Sequence, residues 1–229
     1  MFTPLRRALI GLCCLALVVS TTRAADNELT AEEKKEGYQL LFNGKDLKGW
    51  HRTSAGYGGW RVEDGAICLD KGGGMLYADG EYDNFVLKID FKMSKGCNSG
   101  VFLRVGDPKN EVQTGLEVQV QDDAGKKPNR NSCGSIYDLV APTKDKVKPA
   151  GEWNTYVITC NKNRITVELN GEKITEINVD EWDKPEQRPD GTKHKYKKAI
   201  KDFPRKGLIG MQDHGQAVCY KNIKLMPIK

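Results

Sequence analysis

A stripe of polar side chains follows one short, alternating segment of the chain. Residues Leu116–Gln121 switch strictly between apolar and polar types, so Glu117, Gln119 and Gln121 point to the same face of a predicted strand. Neighbouring side chains on that face lie roughly 6.5–7 Å apart. Three hydrogen-bonding groups at this spacing span about one sugar ring, although the solvated face of an antiparallel sheet would give the same pattern. We expect the stripe to bind substrate.

A second polar segment, Gly210–Gly215, interrupts an otherwise apolar C-terminal region. His214 lies just past a predicted strand end and could act as a general acid or base near neutral pH. Gln212 and Asp213 beside it are candidate substrate ligands. A single histidine usually has a structural role, but its polar neighbours favour a functional one here.

Two other segments supply candidate ligands. The first is Asn98–Arg104, where Asn98 is the opening residue. Alternation in this segment places Gly100, Phe102 and Arg104 on one face. Arg104 could bind a carboxylate or sugar hydroxyls, or could pair with the glutamate of the polar stripe. The second segment is Cys133–Asp138. Its Tyr137 could donate a proton, stack on a sugar, or pack at a strand edge.

A divalent cation is the one cofactor that these residues suggest. Glu117, Asp213 and His214 are suitable ligands by type, provided that the fold brings them together. The chain has no CxxC pair and no cluster of cysteine and histidine with the spacing typical of zinc sites.

Residues 1–24 have the composition of an export signal. Arg6 and Arg7 precede the apolar run Ala8–Val19, and small residues around Ala24 suit cleavage. The run is shorter than the about 20 apolar residues needed to span a bilayer. A buried N-terminal helix is the alternative. We expect cleavage near Ala24 and a periplasmic or extracellular location.

Removal of this segment changes the overall composition of the chain. The formal net charge falls from +5 to +2 because three arginines are lost. That value gives no electrostatic argument for binding nucleic acid. Five cysteines remain of the original seven, which is too few for a disulfide scaffold, and the odd number leaves at least one thiol unpaired within the chain. They are Cys68, Cys97, Cys133, Cys160 and Cys219.

The elements that must position these residues are mostly β-strands. Short runs of period two alternate with turn signals such as Asp64-Gly65 and Asn170-Gly171, and neither helical periodicity nor a βαβ rhythm is present. The pattern predicts an all-β, antiparallel sandwich or jelly roll in one domain. The predicted strands are Gln39–Asn43, Trp60–Leu69, Phe85–Met93, Gly100–Val105, Leu116–Gln121, Thr155–Asn161, Arg164–Leu169, Glu172–Ile177, Leu208–Met211 and Ala217–Met226.

Two segments depart from this pattern. Thr30–Glu36 could form a short helix ahead of the strands. Residues 178–206 are lysine-rich and contain three prolines. This segment could border a ligand groove, but a solvated connection is the simpler interpretation because charge runs usually lie in water.

Several motifs occur in an order that resembles the 3-keto-disaccharide hydrolase domain family. The resemblance covers about residues 38–228, after a signal at 1–24 and a leader at 25–37. It implies a concanavalin-like, two-sheet jelly roll related to lectins and glucanases, and export from the cytoplasm. The motifs are Leu41–Trp50, Asn98–Arg104, Glu117–Val120, Gly134–Tyr137, Gly151–Asn154 and Gly207–Gly215.

The resemblance also implies a chemistry that differs from that of glucanases. Laminarinase-like enzymes have E-x-D-x-x-E on the catalytic strand, whereas this chain has Gln119 at the central position and no second glutamate. A retaining glycosidase needs two carboxylates about 5–5.5 Å apart. A 3-keto sugar needs only one base, because the ketone acidifies the proton at C2 and permits elimination at C1, followed by hydration.

Roles in this elimination follow for the candidate residues. We expect His214 or Glu117 to be the base, and Arg104 or a divalent cation to stabilise the enolate oxygen. The remaining candidates would hold hydroxyls or protonate the leaving group; they are Gln119, Gln121, Gln212, Asp213, Tyr137 and Asn98.

Two other function classes fit the same sequence. A lectin-like carbohydrate-binding module would use the same polar face, with Trp50, Trp60 or Tyr137 stacking on sugars, whereas Trp153 is expected to pack. A structural module of a cell-surface complex would need neither activity nor sugar affinity. For the hydrolase and for the carbohydrate-binding module, the expected partner is a carbohydrate. No nucleic acid partner and no membrane span are expected. The sequence has no signal of oligomeric state.

Overall fold

The structure, a computed structural model, describes residues 25–52 and 59–229. The expected export signal lies outside the described residues. Within them, two antiparallel sheets pack face to face, and no helix is long and apolar enough to cross a membrane. The strands are β1 Gln39–Leu40, β2 Trp50–Arg52, β3 Trp60–Glu63, β4 Ala66–Leu69, β5 Leu76–Ala78, β6 Phe85–Met93, β7 Asn98–Val105, β8 Leu116–Gln121, β9 Trp153–Asn161, β10 Arg164–Leu169, β11 Glu172–Asn178, β12 Leu208–Met211 and β13 Val218–Pro227.

The larger sheet has the order β11-β10-β9-β6-β13-β4-β3, with β1 added on β13. The smaller sheet has the order β2-β5-β12-β7-β8. Strands that are distant in sequence, such as β13 and β6, are therefore neighbours in space, as expected for a jelly roll. The predicted all-β sandwich is confirmed.

Two of the predicted turns show why the strands end where they do. Asp64 and Gly65 have φ of 49° and 72°, and Asn170 and Gly171 have φ of 53° and 83°. Positive φ at both central residues is the geometry of a two-residue hairpin, which aspartate, asparagine and glycine tolerate best. The first turn divides the predicted run Trp60–Leu69 into β3 and β4. The short strands β2 and β5 were not predicted.

The core lies between the two sheets and contains the side chains from one face of each strand. Two of the tryptophans considered for sugar stacking also pack in this core. Trp50 is 8% exposed and Trp60 is 3% exposed, and their indole N–H groups donate to the carbonyls of Leu41 and Gly74 at 2.8 and 2.9 Å. The face of neither indole is therefore free to bind a sugar, so the alternative of a carbohydrate-binding module loses these two stacking residues.

The expected N-terminal helix forms as α1, Ala31–Glu36, and lies on the outer face of the larger sheet. Thr30 and Glu33 form a reciprocal capping box, which satisfies backbone donors at the helix start. Glu33 also accepts hydrogen bonds from Lys88 on β6 at 3.1 Å and Lys224 on β13 at 2.8 Å. Burial alone would raise the pKa of Glu33, but the bonds from Lys224, Thr30 and Lys88 lower it to about 2. The leader is thus fastened to the sandwich by a carboxylate between two lysines.

A disulfide connects two neighbouring strands of the larger sheet. Cys68 on β4 and Cys219 on β13 are directly paired and covalently bonded. The other described cysteines, Cys97, Cys133 and Cys160, are buried thiols. Burial raises the pKa of each of these three thiols to about 12, so they are poor nucleophiles.

Candidate functional site

The polar stripe lies on the outer face of the smaller sheet. On β8, Val118 and Val120 enter the core, so Glu117 and Gln119 point outward, and Gln121 follows them. The face is not solvated, because Glu117 is 4% exposed and Gln119 is 1% exposed. The alternation predicted from sequence is therefore correct, and burial gives these polar groups an environment unlike that of an ordinary wet sheet face.

Glu117 lies over a glycine on the neighbouring strand. Gly100 on β7 pairs with Gln119, two residues along from the pair of Phe102 and Glu117. A methyl group at Gly100 would come within 2.3 Å of Glu117 Oε1. The absence of a side chain at Gly100 thus provides the space that the carboxyl group occupies.

The surroundings of Glu117 tune its acidity. Burial raises the pKa of Glu117 to about 7; the positive charge of Lys195 opposes this rise, and the negative charge of Glu111 adds to it. A carboxyl group with a pKa near the working pH can accept or donate a proton efficiently. Among the predicted catalytic residues, Glu117 therefore has the environment of a general acid or base.

Two loops cover the free edge of β8. Residues 134–137 run alongside it: the Tyr137 N–H donates to Glu117 O at 2.9 Å, and the Gln119 N–H donates to Ser135 O at 3.1 Å. Lys195 then lies over this segment, with Nζ 4.0 Å from the centroid of the Tyr137 ring. The lysine-rich segment 178–206 therefore borders the polar stripe. Its other lysines conform to the simpler interpretation, since Lys193, Lys197, Lys198 and Lys201 are exposed.

Hydrogen bonds orient the amide of Gln119. Its Nε2 donates to Asn98 Oδ1 at 3.0 Å and to Gln121 Oε1 at 3.2 Å. Its Oε1 is buried and has no partner among the described residues. The same is true of Gln212 Oε1, and the Gln212 N–H donates to Gly100 O at 2.9 Å. A buried acceptor without a partner costs about 1–3 kcal/mol. Each of the two oxygens therefore lacks a hydrogen-bond donor among the described residues.

Arg104 does not join this group, and the expectation that it shares a face with Gly100 and Phe102 is wrong. Its φ of 52° turns the chain at a bulge near the end of β7. The guanidinium donates instead to the carbonyls of Asp83 and Lys162, at 2.7 and 2.9 Å. Arg104 thus ties neighbouring loops together and is not placed to stabilise an enolate beside Glu117.

The predicted cation ligands do not converge either. Within residues 25–52 and 59–229, no three aspartate, glutamate, histidine or cysteine side chains form a metal-binding group. Asp213 Oδ2 accepts the N–H groups of Gly73 and Gly74, at 2.6 and 3.1 Å. This carboxylate therefore anchors a loop, and His214 next to it is exposed. The structure gives no support to Glu117, Asp213 and His214 as one ligand set.

Two residues near the site were missed from the sequence. Lys195 stands in a run of lysines that gave no reason to single it out. Tyr77 on β5 is fully buried and covers Gly210, whose added methyl would lie 2.6 Å from the Tyr77 ring. Its hydroxyl has no partner among the described residues. A glycine facing a bulky side chain on an adjacent strand was the available signal, but the strand pairing had to be known first.

Comparison with known proteins identifies the family of the chain. The family model described as a 3-keto-alpha-glucoside-1,2-lyase-like domain matches residues 37–226. The chain belongs to this family. A 3-keto-disaccharide hydrolase from Bacteroides thetaiotaomicron is 30% identical, and the alignment covers 83% of this chain and 78% of that protein. The family resemblance inferred from the ordered motifs is thus confirmed, and the chain is a hydrolase that acts on glycosides.

Solved structures extend the comparison. A proposed glycosyl hydrolase from Parabacteroides distasonis is 34% identical with a TM-score of 0.77, and the match covers 90% of this chain and 100% of that one. A Bacillus subtilis protein with a galectin-like fold is 16% identical with a TM-score of 0.51, over 79% of this chain and 90% of that one. The second likeness supports the sandwich fold alone.

Proposed function

We propose that the chain cleaves 3-keto-glycosides by removing the C2 proton, eliminating the C1 substituent and adding water. The single observation that carries this proposal is the placement of Glu117, a buried carboxyl group with a pKa of about 7 on the outer face of the smaller sheet. The activity named for the Bacteroides relative supplies the substrate class. No second carboxylate with the spacing of a retaining pair is required.

The reaction balances with one base. Glu117 accepts the proton from C2, and the electrons of the C2–H bond form a C2–C3 double bond while the carbonyl electrons move to the C3 oxygen. The C3 carbonyl then re-forms, the C2–C3 electrons form a C1–C2 double bond, the C1–O bond breaks, and the leaving oxygen takes a proton from water. Water adds at C1 and a proton adds at C2, so the net change is hydrolysis. Protonated Glu117 can return the proton it accepted.

Substrate recognition would use the acceptors beside Glu117. Gln119 Oε1 and Gln212 Oε1 can each accept a hydrogen bond from a sugar hydroxyl. The bonds from Gln119 to Asn98 and Gln121 hold its amide in the required orientation before the ligand arrives. Tyr137 is half-buried beside Lys195 and would contact the ring or the leaving group.

Turnover of a 3-keto-glucoside in D₂O tests the proposal. We expect deuterium at C2 of the product or recovered substrate, and kcat/KM that rises with pH through about 7 because the base must be ionised. Glu117→Gln should reduce turnover by about 10²–10⁴-fold, the usual contribution of a general base. His214→Ala is the matched control, since His214 was the other predicted base and is exposed.

The opposite results identify the alternatives. Loss of activity in His214→Ala, with near-normal turnover in Glu117→Gln, would transfer the base to His214. Binding of unmodified glycans without turnover of any 3-keto substrate would favour a carbohydrate-binding module. A parallel assay with a chelator decides whether a divalent cation takes part.

We also propose that the chain is exported, with the sandwich at 38–228 as its catalytic domain. The bond between Cys68 and Cys219 supports this location, because disulfides persist mainly in oxidising compartments. Mass spectrometry of the periplasmic or secreted protein should give an N-terminus near Ala25. An intact Met1 in that fraction would contradict cleavage.

A further inference from the structure

The backbone of Lys195 is fixed from two directions. Its N–H donates to Asp138 Oδ2 at 2.8 Å, and its carbonyl accepts a bond from Gln113 Nε2 at 3.2 Å. Asp138 is itself held by an ion pair with the buried Arg188. Two other segments of the chain therefore determine the position of the Lys195 backbone, although the residue lies in a long loop.

The side chain of Lys195 is held by aromatic rings. Nζ lies 4.0 Å from the centroid of Tyr137 and 5.4 Å from that of Tyr196. Ring faces attract a cation without neutralising it. The ion pairs found among the described residues do not include Lys195, and nearby Asp138 pairs with Arg188. Lys195 thus presents an oriented positive charge beside the segment that is hydrogen-bonded to the Glu117 backbone.

We propose that Lys195 is the catalytic cation that stabilises the enolate oxygen at C3 while Glu117 holds the C2 proton, a role that rests on the proposed function. The ammonium group donates a hydrogen bond to the oxygen as negative charge develops there, and it keeps its own proton. This assignment replaces Arg104, whose guanidinium is bound to loop carbonyls elsewhere.

The charges at the site agree with this role. Lys195 lowers the pKa of Glu117 against the effect of burial, and burial lowers the pKa of Lys195 while Glu117 and Asp138 raise it. The geometry agrees, because Lys195 Nζ lies over the ring of Tyr137, the residue whose N–H donates to Glu117 O. Glu111 is the other charged group that acts on Glu117, and it opposes Lys195. An enolate formed next to Glu117 would lie within reach of the same positive charge.

The test compares Lys195→Met and Lys195→Arg with Lys197→Met, a matched control on an exposed lysine of the same loop. For Lys195→Met we expect turnover of a 3-keto-glucoside and C2 deuterium exchange to fall together, by on the order of 10²-fold, as when one oxyanion donor is removed. Lys195→Arg should recover part of both rates because it keeps the charge. Lys197→Met should match the wild type.

A titration separates this role from a structural one. With ¹³C-labelled glutamate, the carboxyl resonance of Glu117 should titrate at higher pH in Lys195→Met than in the wild type, whereas Lys195→Arg should titrate near the wild-type pH. The Glu117→Gln spectrum assigns the resonance. Thermal unfolding of each variant checks the fold.

Three results would overturn the assignment. Normal deuterium exchange at C2 together with slower cleavage of the C1–O bond would place Lys195 at the leaving group. An unmoved Glu117 titration would show that the two groups are not coupled. Wild-type turnover in Lys195→Met would refute this role alone, whereas lack of turnover by the wild-type protein would refute the proposed function and leave the titration result valid.

Discussion

Glu117 should destabilise the folded protein in its ionised form, and Glu117→Gln should reveal this as a pH-dependent gain in stability. The pKa of Glu117 is about 7 in the folded state, whereas an unperturbed glutamate, as in the unfolded chain, has a pKa of 4.5. Below pH 4.5 both states are protonated, so the group has no effect on pH dependence. Between pH 4.5 and 7 only the unfolded state ionises, so the wild type loses stability as pH rises.

The size of the effect follows from the shift. Each pKa unit corresponds to about 1.4 kcal/mol, so a shift of about 2.5 units amounts to about 3 kcal/mol at pH 8. Glutamine has no charge to titrate, so Glu117→Gln escapes this loss. The difference in unfolding free energy between variant and wild type should therefore grow by about 3 kcal/mol from pH 4.5 to pH 8.

Urea unfolding of both proteins at a series of pH values measures this difference. Glu172→Gln is a control of opposite sign, because bonds from Lys144 and Lys146 lower the pKa of the half-buried Glu172. That variant should lose stability relative to the wild type as pH rises. A difference for Glu117→Gln that stays constant across the series would refute the raised pKa, and with it the main argument for Glu117 as the base.

Three further predictions concern packing, covalent linkage and the N-terminal helix. Gly100→Ala should displace the Glu117 carboxyl group and reduce kcat/KM by on the order of 10²-fold. Unchanged kinetics would show that the close contact is not needed. Replacing both Cys68 and Cys219 by serine should lower the free energy of unfolding by about 2–5 kcal/mol. Urea unfolding without reductant measures this loss, and an unchanged value would contradict a formed disulfide. Glu33→Gln should have a lower free energy of unfolding than the wild type at pH 7. The difference should disappear as pH falls from about 4.5 to about 2, because the pKa of Glu33 is lowered in the folded state. A difference independent of pH would exclude the ion pairs.

The sequence predicted most of the fold because alternation and two-residue turns are local signals. Strands such as Phe85–Met93 and Leu116–Gln121 have the predicted bounds. The stripe led by Glu117 was found for the same reason. Arg104 was misplaced because its positive φ reverses the alternation at one residue, which no local pattern indicates. Lys195 was missed because its partners come from distant segments, and only the folded chain distinguishes it from neighbouring lysines.

The attachment of α1 determines how the enzyme would present itself on a solid support. Glu33 binds Lys88 and Lys224 on the outer face of the larger sheet, whereas Glu117 faces outward from the smaller sheet. The helix and the candidate site are therefore on opposite sides of the sandwich. A bead or electrode linked ahead of Ala31 would leave the side that carries Glu117 turned toward the solution, so substrate could reach it without passing the support.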